Sequence, residues 1–289
     1  MARQNSKLTL STCCGVHVLH DGLVDMLYAL LPILREAFGL SYAEVGLIRA
    51  ANKAATAVLQ IPAGLWAERV GERNLLALGT AAAGAGFIGL GFSTGFISLL
   101  VFIFLAGLGA AFQHPLASSL ITSAYPSGGR RAALGTYNSF GDVGKFMFMG
   151  MTILATGIGM SWQAPVIGYG ITAVVVAVVC LVLLRMAGSG DQPTVEQKEN
   201  AANGTKGWGI RHRGGFLSLG MIAALDNSTR NGFLTFVAFL MIEKGIPTGW
   251  AASAVLITLL GGMLGKFACG MLAERIGIAR TIAITEVGT

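Results

Sequence analysis

GLWAERVG, residues 64–71, recurs as GMLAERIG at residues 270–277, a shift of 206. The same shift, without a gap, lays His20-Asp21 over Asp226-Asn227, Asp25 over Asn231 and Gly39 over Gly245. Each copy sits between two apolar stretches, so one helix–loop–helix unit is used twice. Gly64 and Gly270 suit close helix contact. Glu68–Arg69 and Glu274–Arg275 can pair with each other or with neighbouring helix ends. Gly71 and Gly277 suit a C-terminal turn with positive φ. An ordinary charged loop does not account for the double occurrence.

Outward from this repeat the chain is oily. Of its 289 residues, 54% are hydrophobic and 12% charged, and 41 are glycine. A soluble domain carries about 25% charged residues, so lipid surrounds most of this protein. Glycine is at home in membrane helices, where it lets backbones approach. Crossing the hydrocarbon takes about 20 apolar residues, and eight stretches qualify: 8–34, 44–66, 75–93, 96–123, 133–157, 163–186, 215–242 and 250–272. The fold expected is an all-α polytopic bundle. Residues 1–186 form a six-helix N-terminal half, 187–214 a polar linker, and 215–289 part of a second half. By the repeat, Arg280 matches Asn74 and opens a ninth helix, which the chain enters for about nine residues. The chain therefore reads as a first half plus about a third of a second. Duplicated halves joined by a linker are the plan of secondary transporters, with the substrate site between the halves.

The net charge of +6 does not point to nucleic acid, because the basic residues sit at span ends and in short connections. Thirteen Lys and Arg, among them Arg69, Arg73, Arg130 and Arg131, fall on the side of the chain's start, against Arg35 and Lys244 on the other. Positive charge marks the cytoplasmic side, which places the N-terminus in the cytoplasm of a multi-pass inner (cell) membrane protein. Cys13, Cys14, Cys180 and Cys269 lie in apolar spans with no metal spacing and read as small buried residues. The short basic head is not followed by a cleavable signal sequence.

The first span contains HVLHDGLVD, residues 17–25, and its repeat partner is LDNSTRNG, residues 225–232. Acidic residues in spans are Asp21, Asp25, Asp142 and Asp226; basic ones are Arg49, Lys53, Lys145, Arg230 and Lys266. Each would cost about 2.5–3.5 kcal/mol facing lipid at a helix centre, on the order of 20–30 kcal/mol together. They must face one another or water. At 100° per residue, His17, His20, Asp21 and Asp25 share one side of the first helix. Asp142 and Lys145 are i,i+3, Asp226 and Arg230 are i,i+4, and Arg49 and Lys53 share a face. Two readings of Asp21, Asp25 and His20 stand side by side. One is a proton relay or substrate contact, since neighbouring carboxylates in a cavity suit proton exchange. The other is a structural ion pair with Arg49 or Arg230. For Arg49, Lys53 and Lys145 the choice lies between an anion-binding lining and charge balance. His114-Pro115 is either a kink with a polar handle or plain helix shaping.

The repeated Gly-x-x-x-Glu-Arg-x-Gly resembles the cytoplasmic loop signature of the major facilitator superfamily, with Glu68 where the family usually has Asp. The stretch FQHPLASSLITSAYPSGGRRAALGTYNSFG, residues 112–141, is similar to the fosmidomycin-resistance branch at His114, Pro115, Ala117, Ser118, Ser127, Gly128, Gly129, Arg130 and Arg131. Position 103, where the superfamily places an arginine before its Gly-x-Gly-Ala-Ala run, is Ile, and GDVGKFMFMG (141–150) lacks the antiporter proline. The resemblance implies an exporter of a drug or small organic anion, driven by proton entry and monomeric when full length. The partners expected are that small molecule, protons and the bilayer, with no nucleic acid, cofactor or metal. No nucleotide loop or nucleophile arrangement suggests an enzyme. The alternatives are a non-transporting membrane protein or assembly partner, and a proton symporter for uptake on the same fold.

Overall fold

The structure is a computed structural model and describes residues 5–126, 128–191 and 212–287. Ser127, most of the expected linker, and the side chains of Glu68, Lys266 and Glu274 lie outside the described residues, as do the surroundings of Gly270. The described chain is helical: α1 (Ser6–Phe38), α2 (Tyr42–Val70), α3 (Glu72–Gly91), α4 (Phe96–Ala110), α5 (Gln113–Ala124), α6 (Arg130–Gly157), α7 (Gln163–Met186), α8 (Arg213–Glu243), α9 (Thr248–Ala251), α10 (Ser253–Ile276) and α11 (Ile278–Val287). Five segments are apolar and long enough to cross a membrane: Ser6–Phe38, Glu72–Gly91, Phe96–Ala124, Gln163–Met186 and Thr248–Gly265. The other long helices, α2, α6 and α8, are 29, 28 and 31 residues. They carry six of the nine intramembrane charges, Arg49, Lys53, Asp142, Lys145, Asp226 and Arg230, which is why their composition alone is less apolar.

Local chemistry fixes the ends. Asn5 caps α1 by accepting from the Leu8 amide at 3.1 Å. Ser41 and Glu44 form a reciprocal capping box at the start of α2. At its C-terminus, α1 closes on Gly39 (φ 61°), with the Leu40 amide donating to the Arg35 carbonyl. α8 closes identically 206 residues later: Gly245 has φ 91° and the Ile246 amide donates to the Met241 carbonyl. The repeated loop also matches at backbone level. Gly71 and Gly277 have φ 92° and 87°, and their amides donate to the carbonyls of Ala67 and Ala273. A residue with a Cβ is strained at such φ.

One expectation is refined and one corrected. The span 96–123 is found as one apolar segment, Phe96–Ala124, but it is made of two helices, α4 and α5, parted at Ala111–Phe112. The cause is Pro115, whose ring cannot pass the carbonyl four residues back, at Ala111. Gly64 is not a close-contact point: a Cβ there would meet nothing within 4 Å, because that face of α2 looks into open space.

α1 packs along α6, α3 along α7, and α4 along α2 and α3. α1 has 33 residues, about 50 Å at 1.5 Å per residue, longer than a hydrocarbon layer of about 30 Å. It is the spine of the molecule. One buried cluster joins its Leu19–Leu34 stretch to Phe148, Leu234, Phe239 and Val255 of the later helices. The second cluster, around Cys13, Cys14, Leu76, Leu120 and Cys180, holds only first-half residues. The second unit therefore touches the first at one end. α8 is exposed from Arg213 to Arg230 and buried at Leu234–Phe239 only in part of its far end. Between them a cleft opens toward the repeated loops. At the closed end Tyr28 donates to Asn231 at 2.9 Å, Tyr42 donates to Glu243 at 3.3 Å, and Trp250 packs over Gly157. At the loop end Arg73 ties down the chain after α7, pairing with Asp191 at 2.6 Å. The valines of α7, Val175, Val178 and Val179, are 46–60% exposed and make a lipid-facing surface.

Candidate functional site

The cleft ends in a cavity of about 240 Å³, and its walls are assembled from both repeats. His20, Asp21, Asp25 and Tyr28 come from α1, Lys53 and Thr56 from α2, Gln113 and His114 from α5, and Lys145 from α6. Asn227, Arg230 and Asn231 come from α8. The repeat counterparts of Asp21 and Asp25 thus face the same space as the carboxylates themselves.

Asp21 is the centre. Its Oδ2 lies 3.2 Å from the Lys145 ammonium, which also reaches Asp142 at 3.1 Å. Its Oδ1 faces His17 Nε2 at 3.3 Å and His114 Nε2 at 3.7 Å. His17 is held from behind, its Nδ1 2.7 Å from the Tyr137 carbonyl and its ring stacked on Tyr137 at 4.0 Å. Gln113 donates to the Tyr137 hydroxyl at 2.6 Å. The approach of α1 to α6 depends on Gly141: a Cβ there would sit 2.6 Å from His17 Nε2 and 2.8 Å from Asp21 Oδ2.

Asp25 has a different partner. Arg49 reaches it at 3.3 Å, donates to the Val24 carbonyl at 2.9 Å, and stacks its guanidinium 3.9 Å from the Tyr28 ring centre. Arg49 pairs with Asp25, the structural partner the sequence offered, and it also lines an adjoining space with Lys53 and Asn231. Asp21 and Asp25 line the same cavity but take different cations, Lys145 and Arg49. His20 turns toward α3, where its Nε2 lies 3.0 Å from Thr80 Oγ1. The Thr80 hydroxyl donates to Leu76, so the imidazole N–H donates to it. Lys53 lines the cavity without an ion-pair partner among the described residues. Asp142 and Lys145 pair as their spacing indicates. Asp226 and Arg230 do not: both open into an adjoining space of about 340 Å³ with Phe146, Thr258 and Met263. Their side chains are exposed to the cleft, where water competes with an intrahelical pair.

Tyr28, Tyr137 and Gln113 were not singled out by the sequence. Tyr28 lies one helical turn beyond Asp25 on the same face, which is a usable signal. The Tyr137 carbonyl carries none, since any residue supplies it.

A membrane-spanning bundle that builds one charged cavity from two copies of the same unit has the architecture of a secondary transporter. A family model described as Major Facilitator Superfamily matches residues 13–289, and the chain belongs to that superfamily, whose members are transporters rather than enzymes. Among its relatives, the MFS-type transporter YfnC of Bacillus subtilis is 28% identical over 282 residues, covering 90% of this chain and 64% of that protein. The D-galactonate transporter of Escherichia coli is 26% identical, covering 83% of this chain and 60% of its own. The fosmidomycin resistance protein of Escherichia coli is 28% identical over 114 residues, covering 39% of this chain and 28% of its own. The chain thus spans less than two thirds of the length of the first two. A bacterial homologue of the human lysosomal transporter Spinster, in an inward-facing and unoccupied conformation, superposes with a TM-score of 0.75 at 22% identity. It covers 93% of this chain and 63% of that one, and the likeness is one of fold.

Proposed function

We propose that the protein is a secondary active transporter that exports a small anionic or zwitterionic organic compound in exchange for protons. Alternating access of its two repeated units would carry the substrate across the inner membrane. In this reading the N-terminus and the 187–214 linker are cytoplasmic, and the cleft open toward the repeated loops is an inward-facing state. The observation that carries the proposal is Asp21, in contact with Lys145 and facing His17 and His114 at the wall of a cavity built from both repeats. Lys53 and Arg230 offer charge to a carboxylate, and Gln113, Asn227 and Asn231 offer amide groups around it. A substrate with a cationic group would place it on Asp21. A proton taken by Asp21 expels that group, and the competition makes the exchange.

A second reading rests on the 3.2 Å Lys145–Asp21 contact. A purely anionic substrate draws Lys145 away from Asp21 and leaves the carboxylate ready for a proton. Proton and anion then travel together, as in a symporter for uptake. The D-galactonate transporter among the relatives is named for such an organic anion.

Both readings are tested in sealed vesicles with a panel of small carboxylates and amino acids under an imposed pH gradient. Exchange predicts accumulation of a zwitterion in the compartment from which protons leave. Co-transport predicts accumulation of an anion in the compartment that protons enter. Flux that ignores the gradient rejects proton coupling, and absence of flux for every panel member rejects both and leaves a non-transporting membrane protein or assembly partner.

A further inference from the structure

His17, Asp21 and His114 present three ligand atoms that all lie within 4.8 Å of one another. The neutral tautomer of His17 is fixed by its surroundings. Nδ1 lies 2.7 Å from the Tyr137 carbonyl, which can only accept, so Nδ1 carries the hydrogen and neutral His17 presents a lone pair at Nε2. The residue is 3% exposed, and Nε2 has no hydrogen-bond partner. That lone pair points at a carboxylate oxygen 3.3 Å away, with His114 Nε2 at 3.7 Å from the same oxygen. With His17 in that tautomer, its lone pair and the carboxylate oxygen are two acceptors turned toward each other, a contact that a cation between them relieves.

We propose that His17 Nε2, His114 Nε2 and Asp21 Oδ1 form a binding site for a divalent transition-metal ion of the zinc class. A tetrahedral ion with nitrogen and oxygen ligands at about 2.0–2.1 Å sets those ligands about 3.3–3.4 Å apart. His17 and Asp21 already have that spacing. His114 Nε2, 3.7 Å from Asp21 Oδ1 and within 4.8 Å of His17 Nε2, closes the set by adjusting a side chain that is 47% exposed. The fourth position opens on a space of about 620 Å³, lined also by Asn138, Ser139 and Met263, where water or a ligand carboxylate completes the coordination.

The surroundings support the ligands as in known metal sites. The Tyr137 carbonyl fixes the tautomer and the ring orientation of His17, and Lys145 holds Oδ2 of Asp21 while leaving Oδ1 to the ion. Two imidazoles and one carboxylate select zinc, cobalt, nickel or copper over magnesium and calcium. The ammonium groups of Lys145 and Lys53 oppose a cation here, and they weaken the site without blocking its approach. Bound there, the ion ties α1 to α5 and takes the carboxylate that the transport reading needs. The site itself rests on the triad's geometry; only the inhibition of flux rests on that reading.

The test is a cobalt(II) titration of the detergent-purified protein with any affinity tag removed, followed by visible absorption. The proposal expects one saturable set of ligand-field bands per chain, reversed by zinc and free of thiolate charge transfer, since Cys13 and Cys14 are not ligands. His114→Ala, at a half-exposed side chain, and Asp21→Asn each lower the apparent affinity at least tenfold. Zinc raises the thermal unfolding midpoint of the parent protein and leaves that of His114→Ala unchanged. Absence of saturable bands, or equal cobalt affinity in the parent and both variants, overturns the site. Zinc that also stops flux in vesicles supports the inhibitory role. Zinc that binds but leaves flux unchanged overturns that role and removes Asp21 from the transport path, with the metal site intact.

Discussion

Gly141 decides whether His17 and Asp21 can stand where they do. Both side chains occupy the room its missing Cβ leaves, and at neighbouring Gly144 the backbone of α1 comes equally close. Gly141→Ala forces α1 and α6 apart in a packed seam, a cost of about 1–3 kcal/mol for overpacking. We expect a lower thermal unfolding midpoint in detergent and a loss of cobalt binding; an unchanged midpoint would show that the seam yields freely. Much of the charged cluster was legible in the sequence, because ionisable residues within apolar spans are rare and costly. Asp21, Lys145 and Asp142 stand out for that reason. What the sequence could not show is which cation each carboxylate takes. Asp21 and Asp25 are four residues apart, yet one faces α6 and the other α2. His114 lies 93 positions from Asp21, and no spacing rule links the two.

Among elements, the repeat was the most readable feature, since the helix ends that carry it obey local rules. Glycine with positive φ recurs at 39 and 245 and at 71 and 277. The division of the fourth span was less readable: an unbroken apolar run hides a helix boundary, and the proline that causes it sits three residues inside the second segment. Packing between the units was not readable at all. Its closed end depends on the Tyr28–Asn231 hydrogen bond and on Trp250 seated against Gly157, where a Cβ would fall 2.8 Å from the indole. Gly157→Val should push the indole out and loosen that end, shifting the population away from the state open toward the loops. A cysteine placed at Ala224, which lines the open cleft, reports this through its thiol labelling rate. We expect slower labelling in Gly157→Val than in its absence; an equal or faster rate would show that Trp250 is not part of the closure.

At the scale of the whole molecule, two copies of one unit meet around a cavity whose carboxylates and histidines come from the first half. Asn227 and Asn231 stand opposite Asp21 and Asp25 and cannot ionise, so any proton cycle runs on the α1 side. In the proposed orientation the basic residues, dense at the loop end, and the open cleft lie on the same cytoplasmic side. The measurement that bears most directly on this account is substrate flux in sealed vesicles under an imposed pH gradient, compared with exchange of substrate at equal pH on both sides. For Asp21→Asn the account predicts that gradient-driven accumulation disappears, and that exchange at equal pH falls for a zwitterion, which loses its contact on Asp21, while exchange of a purely anionic substrate continues. Accumulation that persists in Asp21→Asn at the parent rate would contradict it.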